Sequence, residues 1–150
     1  MVQQKPKPKS RTRDTTYKGA SSKKTSGIVP KTENQGELIK ALKESSQVIV
    51  FGPAGTGKTY VTTTIAADLY TTKDIHRIII TRPMISVGKD IGILPGDLEE
   101  KVAPWALPVL DVLTKHLGKG AVETGIKNGN IEMAPLALMR GRSFDNSFII

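Results

Sequence analysis

Apolar and polar positions alternate without order through the first thirty or so residues and fall into pattern from Thr32 onward. Leu38, Ile39, Ala41 and Leu42 recur at helical spacing among Glu, Lys and Gln, which predicts a short amphipathic helix over 33–44, ended by Ser45-Ser46. Val48-Ile49-Val50-Phe51 is an unbroken run of strand formers. Such a run suits a strand buried on both faces of a parallel sheet. A glycine-rich turn over 52–57 and a helix over about 58–70 come next. Ile78-Ile79-Ile80 predicts a second buried strand, entered through His76-Arg77 and left through Thr81-Arg82-Pro83.

Gly and Pro punctuate residues 84–96. Asp97 is the expected N-cap of a helix running towards Leu117, with Glu99 and Glu100 in its first turn and Pro104 and Pro108 breaking or kinking it. Gly118 and Gly120 end that helix. A short helix is expected over 121–126, a short strand over 130–134, a turn or short helix over 136–142, and strand character at Phe148-Ile149-Ile150. The order strand, turn, helix, strand predicts an α/β fold with a parallel sheet and right-handed crossovers.

Composition narrows the chemistry. A chain of 150 residues holds one well-cored domain. It has no Cys, which excludes a disulfide scaffold, a thiol nucleophile and a cysteine metal site, and only two His, His76 and His116. No apolar run approaches the roughly 20 residues that cross a bilayer, and no apolar stretch follows the basic start. A cytoplasmic protein without a membrane partner is expected.

The net charge of +8 sits at one end. Residues 1–31 carry nine Lys and Arg against Asp14 alone, and the rest of the chain is balanced. This stretch has too little apolar surface to offset its ordering entropy, so a disordered basic tail is expected over 1–31, ahead of a folded domain over 32–150. Such a tail attracts polyanions by counterion release with little sequence preference, or serves as a solubility arm.

The strongest motif is Gly52-Pro53-Ala54-Gly55-Thr56-Gly57-Lys58-Thr59. It satisfies G-x-x-x-x-G-K-[ST] in full, between an expected strand and an expected helix. Glycines allow the backbone to wrap a phosphate without Cβ clashes. Successive N–H groups and the helix N-terminus then face the anion. Lys58 supplies a positive charge to the β- and γ-phosphates, and the Thr59 hydroxyl can ligate Mg²⁺. Gln35, beside Asn34, either offers its donor–acceptor amide to an adenine edge or is a surface residue of a helix start. Ligands of open α/β sheets bind at the carboxyl ends of strands, which puts Arg82 near that edge or pairs it with a local carboxylate. Arg140 and Arg142, around Gly141, touch nucleic-acid phosphate or a neighbouring subunit's γ-phosphate, or are solvated. Lys89, Asp90 and the 97–100 stretch fit a helix cap better than an acid/base pair. His116 suits a helix C-terminus. Trp105 suits a packing anchor better than a base-stacking platform.

The chain resembles the PhoH-like family of P-loop ATPases from about residue 32 to residue 150. The resemblance rests on Asn34-Gln35, on residues 52–59, on Thr81-Arg82-Pro83, on Gly92-Ile93-Leu94-Pro95-Gly96-Asp97-Leu98-Glu99-Glu100-Lys101, and on Ala134-Pro135-Leu136 leading to Met139-Arg140-Gly141-Arg142. It implies a RecA-like, helicase-related ATPase core, ATP and Mg²⁺ at residues 52–59, and a link to RNA or single-stranded nucleic acid, with phosphate starvation as a setting for some members. It implies contact of Gln35 with adenine, and a place for Arg82 on a loop facing nucleic acid or nucleotide. Members of such groups often assemble as rings.

In the family a strand like that at 146–150 leads into an Asp-Glu pair that holds Mg²⁺ and polarises water. This sequence stops at Ile150. The expectation is therefore the N-terminal half of such an ATPase, from a truncated reading frame or completed by a second chain, binding ATP but hydrolysing it poorly. The rival is a nucleic-acid-binding module that acts through its basic tail and keeps a vestigial nucleotide site. A small-molecule P-loop kinase would need an arginine-rich lid, and the sequence offers none.

Overall fold

The computed structural model of the chain describes residues 27–83 and 104–150. The elements run α1 (Glu33–Glu44), α2 (Lys58–Thr72), β1 (Arg77–Ile80), a 3₁₀ turn (Pro104–Ala106), α3 (Leu107–Leu117), α4 (Lys119–Lys127), β2 (Ile131–Met133), a second 3₁₀ turn (Leu136–Met139) and β3 (Ser147–Ile149). The expected tail lies mostly outside the described residues. So do the 84–96 loop, Lys89 and Asp90, and the helix start at Asp97 with Glu99 and Glu100.

Local chemistry explains the helix ends. The Thr32 hydroxyl accepts a hydrogen bond from the Gln35 amide and caps α1, and Lys43 stands in its last turn. Pro108 does not kink α3. It occupies the first turn, where its missing N–H would have had no helical partner. Gly118, at φ +85°, ends α3 and opens α4.

β1 is the centre of a three-stranded sheet of order β2-β1-β3, parallel throughout. Ile78 faces Ile131 and Phe148 across the two ladders. Ile78, Ile79 and Ile80 are all buried, so both faces of β1 are covered, as an unalternated run requires. Ile78 and Ile80 join a core built from Ala66 and Ala67 of α2, Val109, Leu110 and Leu113 of α3, Val122 of α4 and Ile131. Trp105 packs against this core, as a packing anchor should. Ile39 of α1 with Val61 and Ile65 of α2 forms a second cluster, and Phe148 touches both.

One expected strand is not there. Residues 48–51 form no strand, and Ile49 and Phe51 are 81% and 89% exposed. Apolar character alone does not make a strand; a ladder partner must accept its N–H and C=O groups. β3 gives one edge to β1, and residues 47, 48 and 50 line a cleft of 390 Å³ along its other edge without bonding to it.

A charged cluster joins the sheet to the loop that follows β2. The Glu132 carboxylate pairs with Arg77 at 2.6 Å and with Arg142 at 2.6 Å, and the Arg142 guanidinium lies 4.9 Å from the centre of the Phe144 ring. The hydrogen bond from Arg142, with the charges of both arginines, holds the Glu132 carboxyl below its ordinary value against the opposing effect of burial. A lowered carboxyl stabilises the fold above its ordinary value of 4.5, and that stability drains as pH falls below it through the folded value. Thermal melts of wild type against Glu132→Gln should therefore differ most at neutral pH and converge in acid.

α4 lies directly on β2. A Cβ at Gly125 would stand 2.8 Å from Ile131 Cδ1 and 2.9 Å from Cγ1. Gly125→Ala should destabilise by about 1–3 kcal/mol despite the better helix former, because overpacking outweighs propensity. Adding Ile131→Val, which removes Cδ1, should recover part of that loss in a chemical denaturation series.

Candidate phosphate-binding site

Residues 52–59 form the exposed turn that feeds α2. A helix that returns into the next strand through a short turn runs antiparallel to it. Residues 73–76 make that turn from α2 into β1, where the Asp74 and Ile75 amides both donate to the Leu69 carbonyl. The N-terminus of α2 therefore lies towards the carboxyl ends of the three parallel strands, the edge where such sheets bind ligands.

The loop holds its shape by bonding its carbonyls and leaving its amides free. Lys58 Nζ donates to the Gly52 carbonyl at 2.8 Å and the Pro53 carbonyl at 2.5 Å, and lies 3.4 Å from the Thr56 hydroxyl. The Thr56 hydroxyl donates to the Pro53 carbonyl at 3.1 Å. Gln35 Nε2 donates to the Thr56 carbonyl at 3.0 Å. No backbone N–H from residue 54 to residue 60 has an acceptor among the described residues. Gly57 opens α2 with φ +86° and no side-chain cap, so the positive end of the helix is unsatisfied by protein. Gly55, at φ +80°, adds a second left-handed residue. These free N–H groups beside an ammonium are the donor set that a polyphosphate accepts from.

Thr59 is exposed and its hydroxyl has no hydrogen-bond partner among the described residues, so its oxygen is open to a ligand at the loop's end. No group of three or more His, Asp or Glu that could hold a metal occurs among the described residues. Gln35 is brought against the loop although 21 residues separate it from Thr56.

The three arginines sort differently. Arg82 follows β1 at the same sheet edge, exposed, and its carbonyl accepts from the Leu136 amide at 3.2 Å. The Thr81 hydroxyl beside it is buried without a partner among the described residues. Arg140 is exposed, and its side chain makes no hydrogen bond or ion pair among the described residues. Arg142 is engaged with Glu132 and Phe144 and is not a free cation.

The sequence missed two features. The Arg77–Glu132–Arg142 cluster joins residues 55 and 10 positions apart. His116 does more than sit at a helix end. Its Nε2 lies 3.2 Å from the Thr64 hydroxyl, and its ring centre lies 6.1 Å from that of Tyr60. That pairing ties α3 to the first turns of α2. Helical phase places Tyr60 and Thr64 on one face, but nothing in the spacing names their partner.

Comparison with known proteins agrees with this geometry. The family model for PhoH-like protein matches residues 27–150. The chain is 40% identical over 131 residues to Protein PhoH of Escherichia coli K12, covering 86% of this chain and 37% of that protein. It is 43% identical over 127 residues to a PhoH-like protein of Bacillus subtilis, covering 85% and 40%, and 39% identical over 120 residues to one of Synechocystis, covering 80% and 37%. It spans no more than about two fifths of the length of these relatives. With its parallel sheet, its glycine-rich turn at the head of α2 and this similarity along nearly all of its patterned length, the chain belongs to the PhoH-like family.

Proposed function

We propose that this chain binds ATP with Mg²⁺ at residues 52–59 and supplies the nucleotide-binding part of a PhoH-like ATPase. One observation carries the reading: a run of backbone N–H groups without protein acceptors, at a helix N-terminus, beside the Lys58 ammonium. Triphosphate oxygens accept from residues 54–60 while Gly52, Pro53 and Thr56 keep their carbonyl contacts. Lys58 has donors to share between those carbonyls and the β- and γ-phosphates. Thr59 would offer its side-chain oxygen to a Mg²⁺ ion carried by the triphosphate. Gly52, Pro53, Ala54, Gly55, Thr56 and Gly57 act through main chain, and Lys58 and Thr59 through side chain. The metal supplies charge neutralisation at the phosphates; the chain's own residues bind and orient. Hydrolysis belongs to the proposal for the longer family proteins.

Lys58→Ala removes the only side-chain cation inside the loop and should weaken ATP binding by at least about tenfold, since charge-assisted hydrogen bonds to ions are worth about 1.5–3 kcal/mol. Equilibrium titration with a fluorescent ATP analogue checks this, and unchanged affinity would reject the site.

We further propose that the nucleic-acid link runs through residues 1–31, with Arg82 at the sheet edge and the exposed Arg140 as additional phosphate contacts. The charge distribution supports it, since the whole net charge of +8 resides in that stretch. Arg142 is the weaker candidate, since Glu132 already neutralises it. Binding to polyuridylate should fall with the logarithm of salt at a slope of about 0.7 per phosphate engaged. Deleting residues 1–26 should abolish most of that slope; a slope that survives the deletion assigns binding to the folded part. Ring assembly is proposed for the family-length protein on resemblance alone.

A further inference from the structure

We infer that the ring of Tyr60 is a stacking surface for the base of the bound nucleotide. The inference rests on the proposed phosphate site and adds to it a contact with the nucleoside.

The two tyrosines of α2 are used differently. Tyr70 packs against the main core. Tyr60 joins neither apolar cluster and is 48% exposed. Its hydroxyl makes no hydrogen bond among the described residues. Much of its ring surface therefore gains nothing from folding and is free for a ligand to cover.

Position decides which ligand. Tyr60 follows Thr59 in the first turn of α2. The Cα–Cβ bond of a helical residue tilts towards the helix N-terminus, so the ring covers the turn that precedes its own Cα. That turn is the end of the phosphate loop. His116 braces the ring from the other direction. Its Nε2 lies 3.2 Å from the hydroxyl of Thr64, one helical turn further along α2. Its ring centre lies 6.1 Å from that of Tyr60, with the two planes tilted by 54°. This is an inclined contact and not a parallel stack, so His116 steadies the tyrosine without covering the side nearer the loop.

Phe51 also borders the loop, one residue before Gly52, and is more exposed. It makes no ring contact among the described residues, so nothing fixes its plane before a ligand arrives. A flat base gains most from a ring already held in place, because less side-chain entropy is lost on binding. The braced ring of Tyr60 meets that condition. Stacking uses the π-face that every base has, so Tyr60 distinguishes a nucleotide from a bare polyphosphate and leaves the choice among bases to groups that reach a base edge.

The test uses the 150-residue chain and calorimetric titration, in the presence of Mg²⁺, with ATP and with inorganic tripolyphosphate. Wild type should bind ATP more tightly than tripolyphosphate. Tyr60→Leu keeps apolar bulk and helix propensity but removes the π-face; it should weaken ATP by about tenfold, within the range of one base–aromatic stack. Its affinity for tripolyphosphate should not change. Tyr60→Phe should bind both probes as wild type does, because the ring and not the hydroxyl makes the contact. Phe51→Leu should leave the preference for ATP intact. Equal weakening of both probes by Tyr60→Leu would make Tyr60 a support of the loop and overturn the inference. So would a Tyr60→Leu chain that keeps full ATP affinity, a Tyr60→Phe chain that loses as much as Tyr60→Leu, or a loss of the ATP preference in Phe51→Leu alone. If wild type binds neither probe, the phosphate site itself falls and takes this inference with it, an outcome distinct from all the others.

Discussion

A loop that presents backbone amides to an anion has to keep those amides from bonding to its own carbonyls. The rest of this site depends on how that conflict is resolved. Here the carbonyls are taken up by side chains: Gly52 and Pro53 by Lys58, Pro53 again by Thr56, and Thr56 by Gln35. The amides from residue 54 to residue 60 are then left without protein acceptors. Lys58 has two aspects in this arrangement, as the cation a phosphate would meet and as the internal strut that keeps the turn open.

The loop is only as well placed as α2, and α2 is held on several sides. Ala66 and Ala67 bring it close to α3, Val61 and Ile65 pack against α1, and a short turn leads it onto the central strand. Thr64 meets His116 from α3 and Thr63 is fully buried, so two of the polar residues of this helix also face protein. β1 in turn is, among the described strands, the one with a neighbour on each side. Burial of its three isoleucines therefore positions the helix whose N-terminus carries the glycine-rich loop. Glu132 adds an electrostatic fastening on the same sheet, between Arg77 at the start of β1 and Arg142 in the loop after β2.

The pattern along the chain made most of the described elements legible. The bounds of α1 follow from four apolar positions and a following Ser pair, and observed and expected helix coincide at 33–44. The three isoleucines of β1 are buried on both faces, as their lack of alternation implies. Pro108 was misplaced in effect rather than in position. Proline breaks a helix that has already begun, but the described helix begins beside it. Residues 48–51 were misread for a different reason. Their composition is that of a buried strand, yet burial needs neighbours on both sides, and no stretch of sequence states which neighbours it will have.

What the sequence determined by itself was local: the loop of 52–59, the helix that follows it, the strand-forming runs, the one-sided charge, and through these the family. Each depends on residues within a few positions of one another, where backbone geometry fixes the outcome. What only the tertiary structure decided was who meets whom across the chain. It set Gln35 against the Thr56 carbonyl, His116 against Thr64, and Arg142 against Glu132 rather than in solvent. Those contacts are chosen by packing, because hydrogen-bonding and charged groups of the same kind occur at many positions, and only the folded chain selects the pairs that stand within three or so ångströms of each other.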